Sequence, residues 1–139
     1  MILIDSNVLI DILDRDPTWF EWSFASLQQA AAMGQVAINP VVVAEVAPQF
    51  GTLDDFLDKM AAMVIGFESL DAVAAFNAGQ AFQAFRRARP AGMPKAIVAD
   101  FLLGGHAQSL GATILTRDPR FYRSYFPTVP LITPEADSL

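Results

Sequence analysis

The chain of 139 residues is 53 % hydrophobic, contains no cysteine and carries a formal net charge of −6 at pH 7. This length is typical of one domain, so we treat residues 1–139 as a single domain. Every apolar stretch meets a charged or turn-forming residue before about 18 residues accumulate, which excludes a membrane-spanning helix, and the lack of cysteine excludes disulfides and is compatible with a cytoplasmic location.

The first half of the chain alternates short apolar runs with segments of helical pattern. An apolar run such as residues 2–4 is typical of a strand that is buried on both faces of a parallel sheet. Each helical segment follows a side chain that can cap a helix. In chain order we predict a strand at 2–4, a helix at 7–13 capped by Ser6, a helix from the capping box at 18–21 to Gly34, a strand at 36–38, a helix at 41–46 capped by Asn39, and a helix capped by Thr52.

The second half continues this alternation. The predicted elements are a strand at 64–69, a long helix from Asp71 to residue 85, a basic loop at 86–94, a helix at 95–110, a strand at 112–116 and a short strand at 131–132. Strands separated by helices imply right-handed crossovers between parallel strands. The predicted fold is α/β with three layers, a mainly parallel sheet of four to five strands and helices on both faces.

Two carboxylates follow predicted strands. Asp5 comes directly after the first strand, and Asp118 follows the fourth strand after Arg117. Parallel strands end at the same edge of a sheet, where open α/β folds bind ligands, so both side chains are expected at that edge. Taken singly, each acid is equally compatible with a helix cap or a turn residue. Position alone does not decide between these readings.

Two further carboxylates interrupt apolar helical segments. Asp100 lies within residues 96–103 and Glu45 within residues 41–47, and neither has a base one helical turn away. A buried charge must be neutralised, paired or bound to a metal, because burial without a partner costs several kcal/mol. Clustered carboxylates would also repel one another by about 4 kcal/mol per pair at about 4 Å. A divalent cation removes that repulsion.

The available ligands are oxygen atoms, which favours Mg²⁺ or Mn²⁺ over zinc. The one histidine, His106, lies six residues after Asp100 and therefore about 240° around the helix. It cannot share the face of that carboxylate. We expect His106 to pack or to cap near the end of its helix.

Four features, taken in order, resemble the motifs of PIN domains. They are DSNVLID at residues 5–11, Glu45 after the second strand, KAIVADFLLGGHA at residues 95–107 and TILTRDPRF at residues 113–121. The resemblance covers nearly the whole chain, and single-domain PIN proteins this short are mostly VapC-like toxins of bacterial toxin–antitoxin pairs. Gly104-Gly105 stands where the family often has a pair of small alanines, a departure that we expect to loosen this helix.

The resemblance implies a PIN-like fold and a metal-dependent endoribonuclease that leaves a 5′-phosphate and a 3′-hydroxyl. Asp5, Asp100 and Asp118 would hold Mg²⁺ or Mn²⁺, and Glu45 would bind a second ion or orient the attacking water. Ser6 and Thr116 are candidates for supporting the carboxylates, with capping and strand packing as the alternative. The expected partners are an RNA substrate, a cognate VapB-like antitoxin and a second copy in a homodimer.

The basic residues are concentrated in the second half of the chain. Residues 1–71 hold 11 acids and 2 bases, whereas residues 72–139 hold 4 acids and 7 bases. The overall acidity argues against tight nonspecific binding of nucleic acid, but a local basic rim remains available. The candidates for guiding an RNA backbone are Arg86, Arg87, Arg89, Lys95 and Arg117, and the alternative is a solvated charge cluster.

Two other functions compete with the nuclease interpretation. The first is a phosphatase or phosphotransferase with a strand-end aspartate as nucleophile, which needs Asp-x-Asp where this chain has Asp5 and Asn7. The second is a catalytically silent binding module of the same fold, which the presence of all four acids disfavours. A trapped aspartyl-phosphate would support the first, and metal-independent partner binding without turnover would support the second.

Overall fold

The computed structural model describes residues 1–88 and 98–134. The strands in these ranges are β1 (Ile2–Ile4), β2 (Val36–Ile38), β3 (Gly66–Phe67), β4 (Thr113–Leu115) and β5 (Leu131–Ile132). The α-helices are α1 (Ser6–Leu13), α2 (Phe20–Met33), α3 (Pro40–Val46), α4 (Leu53–Ala62), α5 (Ala72–Ala88), α6 (Val98–Leu110) and α7 (Arg120–Tyr125). A short 3-10 helix, Ala47–Gln49, follows α3.

The five strands form one sheet in the order β3-β2-β1-β4-β5, and every neighbouring pair is parallel. The predicted α/β fold with a parallel sheet and helices on both faces is therefore confirmed. The first strand lies in the middle of the sheet, and the chain winds outward from it in both directions. The strand order thus reverses between β1 and β4, which is the position where open α/β sheets form a ligand crevice.

Three of the predicted caps begin helices in the structure. The side chain of Asn39 accepts a hydrogen bond from the amide of Val42 at 3.0 Å. Thr52 accepts from the amide of Asp55 at 3.1 Å, and Asp71 accepts from the amide of Ala74 at 2.9 Å. These bonds satisfy amides that a helix leaves without an internal partner, so the local sequence sets where α3, α4 and α5 begin.

The other two predicted caps are wrong. Helix α1 begins at Ser6 itself, with Asp5 at the N-cap position. At the start of α2, Asp16 accepts hydrogen bonds from the amides of Thr18 and Trp19 at 2.8 and 2.9 Å. This carboxylate turns the chain before the expected capping box, so α2 begins only at Phe20.

The third strand is shorter than predicted. Instead of residues 64–69, β3 covers only Gly66–Phe67. Val64 has a left-handed backbone with φ of 59°, and the amide of Ile65 donates to the carbonyl of Met60 at 2.9 Å. Residues 64 and 65 therefore close the end of α4 and are not available to the sheet.

The helix predicted at 95–110 corresponds to α6, which is described from Val98 onward. Residues 95–97 lie outside the described ranges.

Helix α6 packs closely against its neighbours because it carries a pair of buried glycines. A Cβ atom added at Gly105 would lie 2.8 Å from the backbone nitrogen of Ala78 on α5. A Cβ atom added at Gly104 would collide with the ring of Phe126, which is itself buried. The glycine pair thus permits the close approach of α6 to its neighbours.

Within the described ranges, each helix is too short or too polar to span a bilayer.

Replacing Gly105 with Ala is expected to destabilise the fold by about 1–3 kcal/mol, because the obstructing atom belongs to a helix backbone and cannot rotate away. Gly79 offers a matched control, since it lies in the exposed part of α5 with open space around it. Gly79→Ala is expected to stabilise by about 0.5–1 kcal/mol through helix propensity alone. Denaturant unfolding of both variants measures the difference, and a neutral Gly105→Ala would mean that the two helices can separate freely.

Candidate active site

Three aspartates from separate parts of the chain meet at the reversal of strand order. Asp5 follows β1, Asp118 follows β4, and Asp100 lies in the first turn of α6. All three line one cavity of about 220 Å³, together with Ser6, Asn7, Phe121 and Tyr122. The structure therefore brings together three of the four acids that the sequence singles out.

Asp5 is the buried member of the group, with 7 % of its surface exposed. Its Oδ2 atom accepts hydrogen bonds from the hydroxyls of Thr116 and Tyr122, both at 2.9 Å. Burial raises the pKa of Asp5, and these two bonds, with the amides of Ser6 and Asn7, oppose the rise because they favour the charged form. Burial is the larger effect, so the pKa stays above its usual value.

Thr116 connects Asp5 to the loop that carries Asp118. The Thr116 hydroxyl oxygen accepts from Asn7 Nδ2 at 3.2 Å and from the amide of Asp118 at 3.1 Å. A hydroxyl has a single proton, and here that proton is donated to Asp5. The side-chain oxygen of Asn7 also accepts from the amide of Arg117, at 3.4 Å. These bonds fix the spacing between the ends of β1 and β4.

Asp100 is repelled by the charges of three other acids. It is half-buried, and its pKa is raised to about 6, first by burial and then by the charges of Asp5, Glu45 and Asp118. An acid within an apolar helix is expected to need a partner. The described residues place other acids near it, so the local field favours a proton or a cation at this carboxylate.

Glu45 lies at the exposed rim of the site, and the expectation that its apolar helix would bury it is wrong. Residues Val42 and Val46 form the buried face of α3, and Glu45 lies away from that face. Partial desolvation and the charge of Asp5 raise the pKa of Glu45, whereas a hydrogen bond from the Ser6 side chain lowers it. The side chain of Ser6 thus bonds to Glu45, whereas its backbone amide bonds to Asp5.

Asp118 is the most exposed of the three cavity aspartates, with 61 % of its side chain accessible, and it lies 3.7 Å from Arg120 Nε. In residues 1–88 and 98–134, no three His, Cys, Asp or Glu side chains lie close enough together to hold a metal ion directly. Mg²⁺ is commonly held by one or two carboxylates and keeps several of its waters. The donor set therefore fits a hydrated Mg²⁺ or Mn²⁺ and does not fit Zn²⁺, which takes four close ligands.

The predicted RNA-binding bases have different surroundings. Arg86 and Arg87 are exposed at the end of α5, with the Arg86 guanidinium over the ring of Phe82 at 5.9 Å. Arg117 instead pairs with Asp11, its Nε atom 2.8 Å from Asp11 Oδ2, and lies 5.6 Å from the ring of Trp19. Arg89 and Lys95 lie outside the described residues.

Aromatic rings join the basic end of α5 to the cavity. Phe82 and Phe85 of α5 contact Phe101, with ring centroids 5.4 and 5.6 Å apart. Phe101 follows Asp100 and meets Phe121 of the cavity wall at 4.7 Å. The end of α5 that carries Arg86 and Arg87 is therefore held close to the acidic cavity.

Sequence reasoning missed Tyr122, Asn7 and Asp11 as parts of this region. Tyr122 bonds to a residue 117 positions away, and Arg117 bonds to one 106 positions away, so local patterns contain no signal for either contact.

His106 is buried, and its Nδ1 atom lies 3.3 Å from Asn39 Nδ2, which agrees with its expected packing role. Burial lowers the pKa of His106. The nearby charges of Glu68 and Asp71 and a backbone hydrogen bond at Ser69 oppose this effect, but burial is larger, so the pKa stays below its usual value.

Comparison with known proteins gives a consistent result. The PIN domain family model matches residues 2–127. A search of curated proteins found no match. Among solved structures, a chain from the VapBC2 complex of Rickettsia felis with a promoter DNA fragment is 19 % identical, with a TM-score of 0.71, and the alignment covers 96 % of this chain and 98 % of that one.

Two further solved structures have similar folds. A chain of a toxin–antitoxin complex from Klebsiella pneumoniae is 18 % identical with a TM-score of 0.66, covering 96 % of this chain and 98 % of that one. A chain of FitAcB from Neisseria gonorrhoeae is 21 % identical with a TM-score of 0.62, covering 97 % and 99 %. At such identities the likeness establishes a shared fold.

Proposed function

Since the chain belongs to the PIN domain family, whose members are generally nucleases, we propose that it is a Mg²⁺- or Mn²⁺-dependent endoribonuclease and the toxin of a VapBC-type pair. The observation that carries this proposal is the meeting of Asp5, Asp100 and Asp118 around one cavity at the reversal of strand order. The raised pKa of Asp100, at about 6, supports it, because carboxylates that repel one another are stabilised by a cation.

In this proposal Asp5, Asp100 and Asp118 hold a hydrated cation, in part through its waters, and Glu45 acts from the rim. A bound divalent cation supplies positive charge for a phosphate and makes a water easier to deprotonate. Glu45 has an exposed carboxylate with a raised pKa and a hydrogen bond from Ser6, which suits it to orient a water or to accept its proton. Thr116 supports the site by holding Asp5 and the loop before Asp118 in register.

The substrate in this proposal is RNA with accessible single-stranded regions. Arg86 and Arg87 carry the role of backbone contacts, because they are exposed and their helix packs beside the cavity through Phe82 and Phe85. Arg117 is less suited to that role, since its guanidinium is engaged with Asp11. Arg89 and Lys95 remain predictions from the sequence.

We also propose a small basic antitoxin as a partner and a homodimer as the assembly. The solved neighbour from Klebsiella pneumoniae comes from a toxin–antitoxin complex, and the one from Rickettsia felis comes from VapBC2 bound to promoter DNA. An acidic cavity suits an inhibitor that places an Arg or Lys against Asp5, Asp100 and Asp118, where it would take the place of the cation's charge. Apolar surface is available beside α2 and the end of α4, where Phe24 and Val64 are exposed along one cavity.

The test is cleavage of a labelled single-stranded RNA by the purified chain with and without divalent cations. Cleavage is expected with Mg²⁺ or Mn²⁺, is expected to stop in excess EDTA, and should yield 5′-phosphate and 3′-hydroxyl ends. Asp118→Asn, purified in parallel, controls for contaminating nucleases. Undiminished cleavage in excess chelator would contradict the metal-dependent mechanism.

A further inference from the structure

The hydroxyl of Tyr122 is buried against the carboxylate that the proposed function makes a metal ligand. Tyr122 is 1 % exposed, lies in α7 and donates to Asp5 Oδ2 at 2.9 Å. Thr116, which is 0 % exposed, donates to the same oxygen at 2.9 Å. One carboxylate oxygen thus receives two side-chain hydrogen bonds from the protein interior.

The two carboxylate oxygens of Asp5 therefore have different surroundings. A carboxylate oxygen has two lone-pair sites, and the hydroxyls of Tyr122 and Thr116 occupy both sites of Oδ2. Among the described residues, no side chain is seen to donate to Oδ1, and the other groups that bond to the Asp5 carboxylate are the backbone amides of Ser6 and Asn7. Because two side-chain hydroxyls fill Oδ2, Oδ1 is the oxygen on which a ligand in the cavity would bind.

The position of Tyr122 is itself fixed by packing. Its ring meets Phe121 edge to face, with centroids 5.2 Å apart, and Phe121 meets Phe101 at 4.7 Å. Phe101 is 1 % exposed and directly follows Asp100. The same aromatic contacts thus hold the helix of Tyr122 against the helix of Asp100.

We propose that Tyr122 is a positioning residue that, with Thr116, withholds Oδ2 of Asp5 and so limits Asp5 to binding a cation through one oxygen. This inference rests on the proposed function, because it takes Asp5 as a metal ligand. A one-oxygen carboxylate suits the octahedral shell of Mg²⁺ or Mn²⁺, whereas Ca²⁺ readily accepts both oxygens of a carboxylate. Tyr122 therefore biases the site against Ca²⁺.

The experiment is calorimetric titration of the metal-free full chain with Mn²⁺ and, separately, with Ca²⁺, without RNA. Tyr122→Phe removes only the hydroxyl, and the Kd for Mn²⁺ is expected to rise about tenfold, as is usual when a partner of a metal ligand is lost. The Kd for Ca²⁺ is expected to rise less or to fall, because the freed Oδ2 can join its shell. The ratio of the two Kd values should therefore move toward Ca²⁺.

Tyr125→Phe is the matched control, because it removes a hydroxyl from the same helix at a residue that is 37 % exposed. Both Kd values should stay within about twofold of the parent, a difference below 0.5 kcal/mol. If Tyr122→Phe does not fold by circular dichroism, Thr116→Val removes the other donor to the same oxygen and is expected to shift the ratio in the same direction.

The outcomes separate the inference from the proposed function. An unchanged Kd ratio in a folded Tyr122→Phe, whether both ions weaken equally or neither does, overturns the positioning role. Failure of the parent chain to bind Mn²⁺, or equal binding by Asp5→Asn, overturns the metal site of the proposed function instead.

Discussion

Asp100→Asn is expected to reduce RNA cleavage by about 10²- to 10³-fold or more, while leaving the metal-free protein at least as stable as the parent. The variant keeps the shape of the side chain but removes the charge that a cation needs. It also removes the repulsion that Asp5, Glu45 and Asp118 exert on Asp100. Activity with Mn²⁺ and thermal unfolding in EDTA measure the two effects separately.

The pH dependence of stability gives this prediction a defined sign. The pKa of Asp100 is raised from 3.8 to about 6 in the folded chain, so between these values the folded state holds more protons than the unfolded state. The contribution of Asp100 to stability is therefore fully present below pH 3.8 and is lost as the pH rises through about 6. One pKa unit corresponds to about 1.4 kcal/mol, and after allowance for solvent screening we expect a loss of about 1–2 kcal/mol.

In Asp100→Asn this part of the pH dependence should disappear. Asp58→Asn, on the exposed surface of α4, removes the same charge outside the cavity and should leave the profile unchanged. If Asp100→Asn lowered the metal-free melting temperature by several degrees at pH 7, the carboxylate would be a structural group and its place in the site would have to be abandoned.

Arg117→Ala is expected to destabilise the chain by about 2–4 kcal/mol, because it leaves a buried carboxylate without its cation. Only 2 % of the Asp11 side chain is exposed, and its Oδ2 atom is bonded to Arg117 Nε and to the Ser23 hydroxyl, both at 2.8 Å. Denaturant unfolding measures the loss. Adding Asp11→Asn to Arg117→Ala should restore part of it, since the unpaired charge is then removed.

Arg120→Ala is the matched control for Arg117→Ala. Arg120 and Asp118 are 88 % and 61 % exposed and 3.7 Å apart, so this pair is expected to contribute less than about 1 kcal/mol. If Arg117→Ala were as stable as the parent but lost affinity for RNA, the sequence-based assignment of Arg117 to RNA binding would be correct and the structural assignment wrong.

Much of the fold could be predicted because its signals are local. Asn39, Thr52 and Asp71 each cap a helix within three residues of themselves, and short apolar runs such as residues 36–38 identify the strands. The prediction was wrong where a neighbouring group competes for the same amides, as Asp16 does at the start of α2. It was also wrong at Val64, where the end of a helix takes residues that have strand propensity.

The candidate site was less predictable, because its supporting contacts join distant parts of the chain. Residue type and topology together indicated that Asp5 and Asp118 lie at one edge of the sheet. Helical periodicity in an apolar segment did not reveal which face of α3 packs inward, so the exposure of Glu45 was missed. The hydrogen bond from the Tyr122 hydroxyl to Asp5 could not be predicted either, because a tyrosine in a short helix is equally suited to packing alone.

The central place of β1 in the sheet also determines when the cavity can form during synthesis. Asp5 and Thr116 are 111 residues apart along the chain, and β1 completes its pairing only with β4. At roughly 5–20 residues per second, a ribosome needs about 5–20 s to extend the chain from one to the other. Throughout that interval the cavity of the candidate site cannot assemble, and closing so long a loop is slow. A chain cut short before β4 would leave β1 without one of its two neighbours, exposing its apolar residues to proteases.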